Sequence, residues 1–324
     1  MSIKNWEDLE PIYQELQARA IPSVEALEAW IVDRNALEIA VYEEFGWRYI
    51  RLTTNTQHEA AIKEYEYFVQ QISPKASAYE FQLNKKLFDS PYAPALNKEQ
   101  YRIYLRDINN SSRLFREENV ALIAEERLQA KHYGTLFSKI VIPFQAVDLT
   151  LQQALGKLEE SDRATREQAF KLVHSNLQAL TVEVERIFDD LRAIRLKIAN
   201  QANFDNYRDY RFQHLGRFDY SSQDCLNFHE SIKTTIVPIV TTIHERRKRN
   251  LQLEELRPWD LNVDPMAQAP LQPFNGEQEL MEKSIRLLHE LHPLLDNVSN
   301  GCAKQGIWIW SRAQTSGTAV TICL

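Results

Sequence analysis

Apolar residues recur along much of the chain at alternating steps of three and four. Between Ser161 and Phe204, the positions Phe170, Val173, Leu177, Leu180, Val184, Ile187, Leu191, Ile194 and Ile198 form one stripe that no Pro or Gly interrupts. This spacing predicts a long amphipathic helix. Ser161 or Asp162 can cap its start by accepting from the free N–H groups of the first turn. Shorter patterns of the same kind occupy residues 6–19, 23–45, 55–72, 97–109 and 112–134. The breaks between them, such as "ISPKAS" and "DSPYAPALN", combine Pro with Ser or Asn, as turns do. Each segment has an apolar side and a charged side, so the expected packing is antiparallel helical hairpins.

Two stretches depart from this pattern. "TLFSKIVIPFQAVDLTL", Thr135 to Leu151, is rich in β-branched and aromatic residues and weak in helical period, which predicts two short strands forming a hairpin or lid near 135–151. "LRPWDLNVDPMAQAPLQPFNG" contains four of the twelve prolines and reads as an extended segment lying over the helices, ending before a helix from Glu277 to about Leu291. The expected fold class is mainly α.

Composition agrees with helices. There are only eight glycines in 324 residues, well below the roughly 7% that is usual, alongside abundant good helix formers. The length allows a substantial core and could hold two domains. A net charge of -7 argues against nucleic acid as the main partner. The N-terminus lacks the apolar run of a signal peptide, and no stretch approaches membrane-spanning length, so no membrane partner is expected. Cys225, Cys302 and Cys323 are widely spaced and odd in number, which implies no disulfide framework and favours a reduced, cytoplasmic setting.

Four His-Glu dipeptides, at His58, His229, His244 and His289, invite a test for a zinc site. A zincin needs H-E-x-x-H, which sets two imidazoles on one helical face with the Glu as general base. None of the four has the second His. His289 and His292, three apart, could hold a metal with a third ligand from elsewhere, but Pro293 follows at once and the pattern fits the polar end of a helix. "HERRKRN", from His244, could bind phosphate or nucleic acid; as a solvated last helical turn, the preferred reading, its cations would offset the dipole. No Gly-rich phosphate loop or nucleophile elbow occurs. No residue is assigned a catalytic, metal-binding or cofactor-binding role.

"NFDNYRDYRFQHLGRFDYSSQDCLNFHESIKTTIVPI" from Asn203, followed by "ERRKRNLQLEELRPWDLNVDPMAQAPLQPF", resembles the oligoendopeptidase F group of the thimet-oligopeptidase-like zinc metallopeptidases. "AWIVDRNALE", "GWRYIRLTTNT", "LNKKLFDSPY", "LFREENVALIAEE" and "DLTLQQALGKLEESDRATREQAF" fit the same group, in order, so the resemblance runs from about residue 5 to about 305. It implies an almost wholly helical, deeply clefted peptidase acting on short peptides, with zinc held by the two His of H-E-x-x-H and a further Glu. No position here matches those residues, so zinc is expected for the family and none for this chain. The resemblance also implies a division into 1–112, N-terminal hairpins; 113–200, a helical region with the β-hairpin; 201–305, the incomplete start of the catalytic domain; and 306–324, an aberrant tail.

That tail, "GIWIWSRAQTSGTAVTICL", has no Asp, Glu or Lys. In this region the family has a segment of the form L-D-L-E-S-R…K…G-G-Y. Trp308 followed by Ile309 spells Asp in a shifted frame whatever the codon choice, and the neighbouring codons permit the other family residues in order. The expectation is a single-base frameshift near Gly301–Gly306, against the alternative of a genuine apolar tail packed on the helices. Three functions stay open: an N-terminal fragment of a zinc oligoendopeptidase, inactive alone; a stand-alone helical scaffold or peptide-binding protein; and an unrelated metal enzyme using His289 and His292. Oligomeric state is left open.

Overall fold

The computed structural model describes residues 3–304 apart from 55 and 267. It is mainly helical, with a single small antiparallel sheet among the described residues. In order, α1 is Glu10–Ala18, α2 Val24–Thr54, α3 Glu59–Tyr67, α4 Ser73–Asp89, α5 Lys98–Leu114 and α6 Glu117–Ser138. Strands β1, Val141–Phe144, and β2, Val147–Thr150, precede α7, Leu151–Gly156, α8, Arg163–Ala179, and α9, Thr181–Gln201. Then follow α10, Tyr207–His214, α11, Ser222–Ser231, α12, Val237–Asn250, α13, Glu277–Leu291, and α14, Pro293–Lys304. None of the described helices is long and apolar enough to cross a membrane.

The chain divides into two compact units. One contains the chain up to Leu52 together with His58–Tyr133 and Glu183–Glu230. Its largest core joins Tyr13 and Leu16 of α1 to Leu27, Trp30 and Ile31 of α2 and Leu83 and Leu87 of α4. The indole of Trp30 is fully buried and donates to Leu16 O at 2.9 Å, so its polar atom is satisfied in the core. Lys86 Nζ donates to Leu16 O, Gln17 O and Arg19 O at 2.8, 2.8 and 2.6 Å, closing the carbonyl end of α1 where backbone acceptors lack helical partners.

"ISPKAS" does not break the helix. A π-helical turn, Phe68–Ile72, joins α3 to α4, and Pro74 sits within the first turn of α4. Proline has no N–H and its ring crowds the carbonyl four residues back; the widened turn accommodates both without ending the rod. "DSPYAPALN" does interrupt it: the chain runs through a short 3-10 turn, Ala93–Ala95, until Asn97 Oδ1 caps α5 by accepting from Glu99 N and Gln100 N.

The other unit contains Thr53–Gln57, Gly134–Val182 and the described chain from Ser231 onward. The hairpin pairs Val141 with Thr150 and Phe144 with Val147. Ile142 and Phe144 point into the core and alternate with exposed Val141. Gln145 and Ala146 form the turn at φ 46° and 67°, a tight connection that needs left-handed backbone at both positions. Thr150 then opens α7 with a capping box to Gln153.

Asp162 caps α8 as expected, its carboxylate accepting from Thr165 N at 2.8 Å. The apolar stripe beyond it is carried by two helices rather than one. α8 ends at Ala179, the ψ of -4° at the capping residue Leu180 turns the chain out of the helix, and α9 begins at Thr181. The stripe stays in phase across the break, so spacing alone does not register it. All nine stripe residues are buried or half-buried.

The Pro-rich segment is pinned to α8 by one carboxylate. Asp260, fully buried, accepts from Arg163 Nε and Nη2 at 3.0 and 2.9 Å, from Arg166 Nη2 at 2.9 Å and from Arg257 N at 3.0 Å. The buried Arg166 also donates to the carbonyls of Trp259, Glu160 and Ser161. Trp259 itself packs 5.4 Å from Phe170. α13 ends where the sequence predicts, at Leu291.

Candidate functional site

In the first unit a cavity of about 310 Å³ opens among α4, α5, α6 and α10. From α4 it is faced by Ser73, Ser77, Glu80 and Asn84, spaced three or four apart and therefore on one side of the helix. α6 contributes Asn119, Ile123 and Arg127 at the same spacing, α5 contributes Asn110 and Leu114, and α10 contributes Tyr210 and His214. Phe81 and Phe115 stack at 4.5 Å along its wall.

The polar side chains around this space are unevenly satisfied. Arg34, buried beneath the wall, donates from Nε to Glu38 at 2.8 Å and from Nη2 to Asn84 Oδ1 at 2.5 Å. Asn110 donates to Gln213 O and Asn119 to Ile198 O, and both leave Oδ1 buried without a partner. The Glu80 carboxyl makes no hydrogen bond or ion pair to any described residue. Burial, and then the neighbouring Glu38 carboxylate, push it up to about 7 against the opposing pull of Arg34 and Arg127. Burial, and then the adjacent Arg211, lower the His214 imidazole below its usual range, so it stays neutral at neutral pH. The arrangement is a half-polar chamber holding a carboxyl poised between its charged and neutral forms.

The histidines singled out in the sequence do not converge. His58 caps α3, its Nδ1 accepting from Ala61 N at 3.1 Å. His229 lies exposed on α11 and His244 half-buried on α12. His289 sits 3.1 Å from Asp296, while His292 Nδ1 accepts from Leu294 N at 3.1 Å. Among the described residues no three His, Cys, Asp or Glu side chains gather where they could hold a metal ion, so the donor set that a zinc centre needs is not assembled there. The basic run after His244 does close a helix, and Arg247 donates across to Val263 O. None of the chamber residues stood out in the sequence. The one available signal was the polar series Ser73, Ser77, Glu80, Asn84 at helical spacing, which is also what a solvated helix face looks like.

The model of the peptidase M3 N-terminal domain matches residues 1–115, and that of peptidase family M3 matches residues 157–292. Together they span more than three-quarters of the chain. No curated protein sequence matches it. Among solved structures, one from Bacillus anthracis strain Ames described as an oligoendopeptidase F superposes with a TM-score of 0.88 at 20% identity, over 97% of this chain and 58% of its own. PZ peptidase A, solved with an inhibitor, superposes with a TM-score of 0.89 at 21% identity, over 99% of this chain and 57% of its own. A second structure described as oligoendopeptidase F gives 0.89 at 21% identity, over 98% and 56%. The chain thus spans a little over half the length of the structures it matches. With both models in place along a helical fold shared with oligoendopeptidase F, the chain belongs to peptidase family M3.

Proposed function

We propose that this chain forms the front portion of a zinc-dependent oligoendopeptidase that hydrolyses short peptides in a deep helical cleft, and that by itself it lacks the zinc-bearing catalytic site. The observation that carries this reading is the order and extent of the family matches: the N-terminal model first, the peptidase model second, and alignment over nearly all of this chain but only 56–58% of each of three solved relatives. On this reading residues 201–305 begin a catalytic domain whose remainder carries H-E-x-x-H, and residues 306–324, outside the described residues, are out-of-frame translation.

Surface chemistry supports it. Ile236, Val237, Ile239, Val240 and Ile243, at the start of and along α12, are each 39–52% exposed. Thr241 and Thr242 bond their hydroxyls back to Val237 O and Pro238 O, so these polar groups are satisfied within the helix. An apolar helix surface of this extent is what further packed polypeptide would cover. The test has two parts. Sequencing the coding DNA from about codon 290 past the stop should restore L-D-L-E-S-R and a later H-E-x-x-H after a one-base change. The purified chain should show no chelator-sensitive cleavage of a fluorogenic short peptide. Zinc-dependent turnover by the chain alone, or a confirmed frame with nothing peptidase-like downstream, would sink the proposal and leave a stand-alone peptide-binding scaffold.

A further inference from the structure

We propose that the chamber lined by α4, α5, α6 and α10 is a binding site for a primary ammonium group, with Glu80 as its counter-ion. The unpaired polar atoms on its wall carry the assignment. Glu80 has no hydrogen-bond or ion-pair partner among the described residues, and the wall's buried polar atoms without a partner, Asn110 Oδ1 and Asn119 Oδ1, are both acceptors. A wall short of donors suits a ligand that supplies them. An ammonium carries three N–H donors and no acceptor, and a charge that a desolvated carboxylate pairs with strongly.

The cations nearby are largely engaged. Arg34 is held by Glu38 through Nε and by Asn84 through Nη2, with only its buried Nη1 unpaired and not on the chamber wall, and Arg116 donates to Gln201 O, Arg113 O and Phe115 O. Arg127 lies 5.5 Å over the Phe45 ring, with Nη1 3.5 Å from Ser73 Oγ. His214 Nδ1 faces Arg211 Nη1 at 3.0 Å. An anion entering the chamber would meet Glu80, the amide oxygens and guanidinium groups turned to other partners. A cation meets Glu80 with Glu38 behind it, and aromatic walls from Tyr42, Phe81, Phe115 and Tyr210 that favour positive charge. The volume, about 310 Å³, is at the small end of the usual pocket range of roughly 300–1,000 Å³, enough for a terminal residue or a lysine side chain.

The groups facing Glu80 set the pH response: Tyr13 from α1, Arg34, Glu38 and Tyr42 from α2, Arg127 from α6 and His214 from α10. Because only the ionised carboxylate pairs with an ammonium, affinity should fall about tenfold per pH unit below pH 7 and level off above it, and for tetra-alanine fall again above about pH 8, where its α-amino group loses its proton. Isothermal titration calorimetry on the full chain tests this with four probes: tetra-alanine, N-acetyl-tetra-alanine, N-acetyl-lysine methylamide and methylammonium. Probes bearing a free ammonium should bind with proton release near pH 6.5, read as a heat that depends on the buffer's ionisation enthalpy. N-acetyl-tetra-alanine should not bind. Tetra-alanine binding without N-acetyl-lysine methylamide assigns the site to peptide amino termini, and the reverse assigns it to lysine side chains; either outcome supports the proposal.

Glu80→Gln should weaken binding about tenfold or more, and Glu80→Asp, which keeps the charge, should retain the pH dependence. Circular dichroism would confirm that both variants fold. The proposal is overturned if N-acetyl-tetra-alanine binds as tightly as tetra-alanine, if Glu80→Gln binds unchanged, or if no amine probe binds at millimolar concentration. These readouts score binding by this chain alone, so they are independent of whether a catalytic portion lies downstream.

Discussion

Replacing Asp260 by Ala removes the carboxylate that Arg163 and Arg166 share and leaves two guanidinium groups in very different surroundings. The Arg166 side chain is only 3% exposed and that of Arg163 is 42% exposed. Breaking a buried pair by deleting one partner leaves an uncompensated charge and costs about 3–5 kcal/mol, whereas an exposed pair contributes roughly 0–1 kcal/mol. Asp260→Ala should therefore destabilise the second unit by about 3–5 kcal/mol, almost all of it through Arg166. Arg166→Ala should cost less than that, because Arg163 and Arg257 N still bond the buried carboxylate. Arg163→Ala should cost less again, because its guanidinium is 42% exposed while Arg166 and Arg257 N still bond the carboxylate.

The effect has a defined pH window. Burial alone would raise the Asp260 carboxyl, but bonds from Arg163, the Arg257 backbone N–H and Arg166 outweigh it and hold the group below its ordinary value of 3.8. A lowered carboxyl contributes stability above its unfolded value and loses it as pH falls through the folded one, so the penalty of Asp260→Ala should shrink below about pH 4. Urea unfolding followed by circular dichroism and tryptophan fluorescence reads the change, with Trp259 beside the site as a local reporter. Equal costs for Arg163→Ala and Arg166→Ala, or an Asp260→Ala penalty under about 1 kcal/mol, would show that burial does not set the strength of this cluster.

Ala146→Gly should stabilise the β1–β2 hairpin by up to about 1 kcal/mol, since a left-handed backbone is costly for Ala and free for Gly; thermal unfolding should show a higher midpoint. Lys86→Met keeps a long unbranched side chain but removes three bonds to the end of α1 and the ammonium's contact with the Trp30 ring, and should cost about 1–3 kcal/mol in urea unfolding. Glu80, raised in the fold to about 7, favours the folded state below its ordinary value of 4.5 and progressively loses that advantage up to pH 7. Glu80→Gln should therefore be more stable than the parent at pH 8 by at most about 3 kcal/mol, and this difference should shrink to nothing near pH 4; a pH-independent difference would contradict the assigned cause.

Much of the local structure could be read directly from residue order. The stripe from Phe170 to Ile198 predicted which residues turn inward, the β-branched run near Val141 predicted the hairpin, and Asp162, Asn97 and the end of α13 at Leu291 marked boundaries. These features depend on a residue and its near neighbours, so they are present in the sequence. Where a break left the period undisturbed, as at Leu180, or where a π turn absorbed a proline, as before Pro74, the same signals misplaced the ends.

What only the tertiary structure decided is the fate of polar side chains. Asp260 reads as one of several loop carboxylates, and Arg163 and Arg166 as ordinary cations on a helix; only a fold that brings positions 94 and 97 residues apart into contact makes them a buried cluster. Glu80, Asn110, Asn119 and Arg127 come together from three helices in the same way. Periodicity reports that a helix has an apolar side, but it does not say what covers the other one. A charged residue's cost, its titration and its chemistry are set by that covering, through desolvation and the partners it brings, and these exist only once the chain is packed.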